Sequence, residues 1–242
     1  MKVVCFDLDD TLYKEIDYLK SAYREIASYA AQMCTCACLP VQVLEVKAYE
    51  AMLEAFQGGK NAFEVLNAFL GLELPIAHML HIYREHKPVI ALDEDTRLAL
   101  NRLKAEGVLM GIISDGRELT QWNKVKSLGL TEWIDESCII INASEDCFKP
   151  NPCGYERLMS VGKAMGDDPD LLFTYVGDNL KKDFIWPKKN GWQTICLKDN
   201  GSNIHPQDFE NMSHEAMPDR VVTSMRELLV TYGNDSIGGE NL

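Results

Sequence analysis

Residues 2–11 read KVVCFDLDDT, and the order of residue types in this stretch organises the rest of the chain. Val3, Val4, Cys5 and Phe6 form an unbroken apolar run of β-branched, small and aromatic residues, which predicts a short buried strand. The run stops at Asp7, and Asp9 and Asp10 follow at once. Carboxylates this close repel one another, and burial disfavours their ionised forms further. Either these acids form a solvated turn, or positive charge reaches them from distant parts of the chain or from a bound cation.

Outward from this stretch the pattern changes character twice. From Glu15 to His86 apolar residues recur at helical spacing, as in Ile16, Leu19, Tyr23, Ile26 and Tyr29. Helices are expected at 15–33, 41–56, 61–72 and 75–86, with paired glycines at 58 and 59 breaking the pattern. From residue 91 strands and helices alternate. The strands are expected at 108–114, 137–142, 171–178 and 193–197, and a short one opens 220–233. The helices between them are expected at 93–107, 118–129, 151–166 and 180–191, with Pro187 interrupting or kinking the last. Residues 199–219 read as a long polar loop, and a helix closes the chain before a polar tail. This alternation predicts an α/β fold: a Rossmann-like parallel sheet with helices on both faces, formed by residues 1–14 and 91–242, plus an all-helical domain inserted at 15–90.

The bulk composition excludes several function classes. The chain has 242 residues, 46% hydrophobic and 25% charged, which excludes a largely disordered chain. Its formal net charge is −13. No basic stripe is present, so nucleic acid is not an expected partner. An acidic protein repels anions at long range, so a phosphate-bearing ligand would have to be held locally, with a metal ion as the natural aid. The chain turns acidic by residue 7, before any signal-peptide apolar region, and no apolar run reaches membrane-spanning length. The expectation is a cytoplasmic protein with reduced thiols and no membrane partner. Cys34, Cys36 and Cys38 are spaced by two, share no helical face and have no matching Cys/His pair, so they read as small apolar residues near a helix end. His78, His81 and His86 read as helix-surface residues on the same grounds.

In an open parallel sheet, ligands bind outside the carboxyl ends of the strands. The first strand is followed by Asp7-Leu8-Asp9, and the second by Ser114-Asp115-Gly116. Lys149-Pro150 comes shortly after the third, and Gly177-Asp178-Asn179, with Asp183 beyond, after the fourth. Carboxylates, a hydroxyl beside a glycine and an ammonium group therefore converge on one rim. A carboxylate can attack phosphorus and form an acyl-phosphate. Clustered carboxylates suit Mg²⁺, a hard cation that prefers oxygen ligands. A lysine, a hydroxyl and turn amides can hold the equatorial oxygens of a transferring phosphoryl group.

DLDDT, IISDG, KP after NASEDCF, and VGDNLKKD together resemble the motifs of the haloacid dehalogenase-like superfamily, in their usual order. The helical insertion after the first motif resembles the cap of its first subfamily. The resemblance implies that Asp7 is the nucleophile and Asp9 the general acid and base. It makes Lys149 the residue that balances charge, with Ser114, Asp115 and Gly116 at the phosphate. It implies Mg²⁺ held by Asp7, the Asp9 main chain and Asp178, supported by Asp183. Dehalogenases proper lack the second aspartate; Asp9 is present here, and an alkoxide leaving group needs a proton, so a phosphatase acting on a small phosphomonoester is expected. A phosphomutase, or a regulatory protein on the same scaffold, is the alternative. Asp115 departs from a common Asn, and its charge hinders phosphate binding unless it points away. Asp10 reads as a local hydrogen-bonding residue. Arg117, Gln121, Asn123 and Lys124 read as a solvated helix face, while Lys60 and Asn61 in the cap loop are candidates for substrate selection. A monomer or homodimer is expected.

Overall fold

The computed structural model describes residues 2–34, 39–165 and 171–234. Cys36 and Cys38 lie outside them. Strands β1 (Lys2–Phe6), β2 (Leu109–Asp115), β3 (Ile139–Asn142), β4 (Leu172–Gly177), β5 (Gln193–Leu197) and β6 (Arg220–Val222) form one sheet in the order β3-β2-β1-β4-β5-β6. Every pairing is parallel. β1 is central because its residues are apolar on both faces, and Val3 to Phe6 are fully buried. Chain order along the sheet reverses between β1 and β4, and the carboxyl ends of strands at such a switch point open a crevice.

Helices α1 (Glu15–Met33), α2 (Val41–Gln57), α3 (Ala62–Leu70) and α4 (Ile76–Glu85) follow β1. They close on a hydrophobic cluster of their own, around Ile26, Ala48, Met52, Leu66 and Met79, separate from the cluster that packs against the sheet. Helices α5 (Glu94–Ala105), α6 (Glu118–Ser127), α7 (Cys153–Met165), α8 (Ile185–Lys189) and α9 (Met225–Asn234) alternate with the later strands. Asp93 caps α5, its carboxylate accepting from the Thr96 N–H at 2.7 Å. The helix expected over 180–191 forms only over Ile185–Lys189. Pro187 therefore falls in the first turn of α8, where its missing N–H would have no intrahelical partner anyway, and no kink arises.

Other expectations are corrected. His86 is buried, not on a helix surface: its ring bonds Ser21 Oγ at 2.8 Å and pairs with Glu25. Ser21 Oγ also accepts from the Val89 N–H at 2.8 Å, which ties α1 to the chain leaving α4. His81 is solvent-facing and pairs with Glu85. Cys147 and Cys153 are joined in a disulfide rather than reduced, because a short turn and the start of α7 bring their Cα atoms to 5.3 Å. Cys34 is free, and its thiol donates to Leu70 O at 3.7 Å. Among the described residues no helix is long and apolar enough to cross a membrane.

Candidate active site

Asp7 stands one residue past β1, where its N–H continues the ladder to Val176 O at 2.8 Å. Parallel register sets Phe6 beside Ile112 and Val176, so the ends of β2 and β4 deliver Ser114 and Asp178 alongside it. Lys149 arrives from the segment after β3 and is fully buried at its side chain. Its ammonium pairs with Asp7, meets Asp183 Oδ1 at 2.8 Å and donates to Tyr175 Oη at 2.9 Å. Burial alone would depress the Lys149 pKa, but the charges of Asp183, Asp7 and Asp115 outweigh it and hold the ammonium charged. Asp7 is pushed up to about 7 by burial and by Asp183, against the pull of Lys149.

Asp7, Asp178 and Asp183 are buried, and each offers a carboxylate oxygen within 4.8 Å of the others. Asp183 is spoken for. Its Oδ2 accepts from the N–H groups of Asp178 at 3.2 Å and Asn179 at 2.8 Å, and Oδ1 faces Lys149. A Cβ on Gly177 would sit 2.5 Å from Asp183 Oδ2, so only glycine leaves room for this arrangement. Among the described residues no ion pair engages Asp178, and burial with the charges of Asp183, Asp7 and Asp10 outweighs the more distant Lys149 and raises its pKa to about 9. A buried carboxylate excess, with oxygen donors only, fits a hard divalent cation, for which Asp7 and Asp178 are the available side-chain ligands.

Ser114 is buried at the end of β2. Gly116 has φ +144°, a conformation that favours glycine, and its N–H donates to Asn142 O at 3.0 Å. That amide, expected at the phosphate, bonds the end of β3 instead. Asp115 lines the cavity, and its carboxylate is engaged by neighbouring donors. It accepts from Asn142 Nδ2 at 2.9 Å and the Lys149 N–H at 3.2 Å, and lies 3.4 Å from Lys182 Nζ. Asp10 is a hydrogen-bonding residue, but only in part a local one: it accepts from the nearby Glu15 N–H at 2.9 Å and from the distant Ile204 N–H at 3.0 Å.

The helix after the Ser114 turn overturns an expectation. Gln121, Asn123 and Lys124 are buried, and only Arg117 of that group is exposed. Lys124 Nζ contacts Asp9 Oδ1 at 2.7 Å. Gln121 Nε2 donates to Asp9 Oδ2 at 2.8 Å and to Ser114 Oγ at 2.6 Å. Burial pushes the Asp9 carboxyl up, but the Lys124 charge and hydrogen bonds from Lys124, Tyr13 and Gln121 prevail and hold it below the usual range. Asn123 Nδ2 donates to the carbonyls of Glu85 and His86 at 3.1 Å, satisfying the end of α4. The i,i+3 spacing puts Gln121 and Lys124 on one helix face, but does not show that this face meets Asp9.

Asp7, Asp9, Ser114, Lys149 and Asp178 line one cavity of about 320 Å³, which Glu15 and His205 also reach; Gln121 and Lys124 stand behind Asp9 and do not line it. Lys60 and Asn61 are exposed and do not line it; Asn61 caps α3 by accepting from Phe63 and Glu64 N–H groups. His205 comes from the stretch that the sequence showed only as a loop.

A model of the haloacid dehalogenase-like hydrolase family matches residues 1–183. Among curated relatives, a glyceraldehyde 3-phosphate phosphatase of Pyrococcus furiosus is 30% identical, with 95% of this chain and 92% of that protein covered. A protein of the same name from Methanocaldococcus jannaschii is 28% identical, with coverage of 95% and 96%. Among solved structures, a phosphatase from Thermococcus onnurineus superposes over all of both chains with a TM-score of 0.55 at 21% identity. A 2-haloacid dehalogenase from Pseudomonas syringae gives 0.56 at 18% identity, covering 97% of this chain and 99% of its own. The arrangement of strand ends, the family match and these likenesses agree, and the chain belongs to the haloacid dehalogenase-like hydrolases.

Proposed function

We propose that this protein is a Mg²⁺-dependent phosphatase that hydrolyses a small phosphomonoester through a phosphorylated Asp7. The observation that carries this reading is the buried contact of Lys149 with Asp7 and Asp183, in the cavity that also holds Ser114 and Asp178. An Asp7 oxygen attacks phosphorus, and the bond from phosphorus to the alkoxide oxygen breaks. Lys149 and the Ser114 hydroxyl hold the phosphoryl oxygens as charge redistributes. Asp9 supplies the proton that the departing oxygen needs, then removes one from the water that attacks phosphorus and frees Asp7. The contact with Lys124 favours the ionised Asp9 left after it has given up its proton, and the proton that Asp9 then takes from the attacking water is the one it gives to the next departing oxygen. Asp7, Asp178 and the Asp9 main chain would hold Mg²⁺, which offsets the combined negative charge of enzyme and phosphate.

Residues 15–90 act in this reading as a cap over the core formed by 1–14 and 91–242. The cap shields the cavity from bulk water and limits the substrate to a small molecule. The relatives' name makes a three-carbon sugar phosphate the first substrate to test. Phosphate release from a panel of small esters, with Mg²⁺ and with EDTA, tests the proposal. Activity with Mg²⁺, lost in EDTA and in Asp7→Asn, is expected; full activity in Asp7→Asn would overturn it.

A further inference from the structure

The segment after β5 is a strap across the strand ends, anchored on both sides of His205. Asp199 Oδ1 accepts from the N–H groups of Gly201, Ser202 and Asn203 at 2.8, 3.0 and 3.0 Å, folding the first turn. Asn203 then spans the site. Its Nδ2 donates to Asp178 Oδ2 at 2.8 Å, and its Oδ1 accepts from Lys14 Nζ at 2.7 Å. The Ile204 N–H donates to Asp10, and its side chain packs against the hydrophobic cluster of α1–α4. Gln207 Nε2 donates to the carbonyls of Asp178 and Leu197, each at 2.8 Å. His205 stands between these anchors and faces the cavity. Among the described residues no hydrogen bond or ion pair engages its ring.

Exposure grades the cavity from floor to rim. Asp7, Ser114, Lys149 and Asp178 are buried, whereas His205 is exposed. A phosphoryl group on the floor leaves the other half of the ester to extend toward the rim. An imidazole both donates and accepts hydrogen bonds, so it suits a hydroxyl or carbonyl oxygen. We propose that His205 is a specificity-determining residue that hydrogen-bonds the leaving group of a hydroxylated phosphate ester. This rests on the phosphatase reading above. The strap is borne by the core, so this contact is made by a part of the chain other than the helical unit.

The test measures binding, by calorimetry with Mg²⁺, to Asp7→Asn and Asp7→Asn/His205→Ala proteins. The probes are inorganic phosphate and glycerol 3-phosphate. Phosphate should bind both proteins equally, while glycerol 3-phosphate binds the double variant about five- to tenfold more weakly, the worth of one hydrogen bond. His205→Gln should recover part of the loss. Equal binding of glycerol 3-phosphate to both proteins, or equal weakening of both probes, overturns the assignment of His205. If the unsubstituted protein with Mg²⁺ neither binds phosphate nor hydrolyses any ester, the phosphatase reading falls, and the leaving-group contact falls with it.

Discussion

Replacing Lys124 by Met removes the cation that holds Asp9 ionised. The paired side chains are 4% and 20% exposed, and their charged atoms are 2.7 Å apart. At an effective dielectric of about 20, their gross attraction is about 6 kcal/mol. Desolvation offsets part of that, but deleting one partner leaves the other buried and uncompensated, which costs about 3–5 kcal/mol. Gln121 and Tyr13 still bond Asp9, so about 3 kcal/mol is expected at pH 8. The cost depends on pH. In the parent the folded Asp9 pKa is depressed, so its contribution is present above the unfolded value and lost as pH falls through the folded one. In Lys124→Met burial dominates and the folded pKa rises, so stability is lost as pH climbs from about 4 toward the raised value. Urea denaturation in EDTA, followed by circular dichroism, should show a gap from the parent at pH 8 that exceeds the gap at pH 5 by about 1 kcal/mol or more. Adding Asp9→Asn should remove that pH dependence. A gap equal at both pH values, or below about 1 kcal/mol at each, would refute the reasoning.

Gln121→Ala removes the donor shared by Asp9 and Ser114 and should lower kcat about tenfold, with a stability loss of about 1–2 kcal/mol, read by steady-state kinetics and denaturation. Gly177→Ala forces a Cβ into Asp183 and should cost about 1–3 kcal/mol with loss of activity; a change below about 0.5 kcal/mol would contradict the close packing. Reducing Cys147–Cys153, which are 6 residues apart, should cost no more than about 2 kcal/mol, the loop-closure value for so short a ring, measured by denaturation with and without reductant.

The parts legible in the sequence were those with a local signature. The apolar run of Val3 to Phe6 identified the central strand because both faces of a parallel sheet are buried. Asp7, Ser114 and Asp178 were findable because each stands at or one residue past the end of a strand, and Lys149 because it follows the third, and parallel topology gathers such ends at one rim. What stayed hidden was set by tertiary partners. Gln121 and Lys124 lie on a polar stretch of helix, and nothing near them in sequence shows that Asp9, 112 and 115 residues away, faces that stretch. His86 looked exposed because its partners Ser21 and Glu25 are 65 and 61 residues distant. The strap of residues 199–207 looked like a plain loop because its anchors, Lys14, Asp10 and Asp178, belong to other segments. The 180–191 helix was overextended because periodicity alone does not show that Pro187 opens a helix rather than bending one.

The central claim is that Asp7 carries the phosphoryl group. Brief reaction of the protein with a ³²P-labelled ester and Mg²⁺, acid quenching, and mapping of the labelled peptide by mass spectrometry test it directly. The account predicts an acid-stable, hydroxylamine-sensitive label on Asp7 that is absent from Asp7→Asn. Ester turnover with label on another residue, or full turnover by Asp7→Asn, would contradict it.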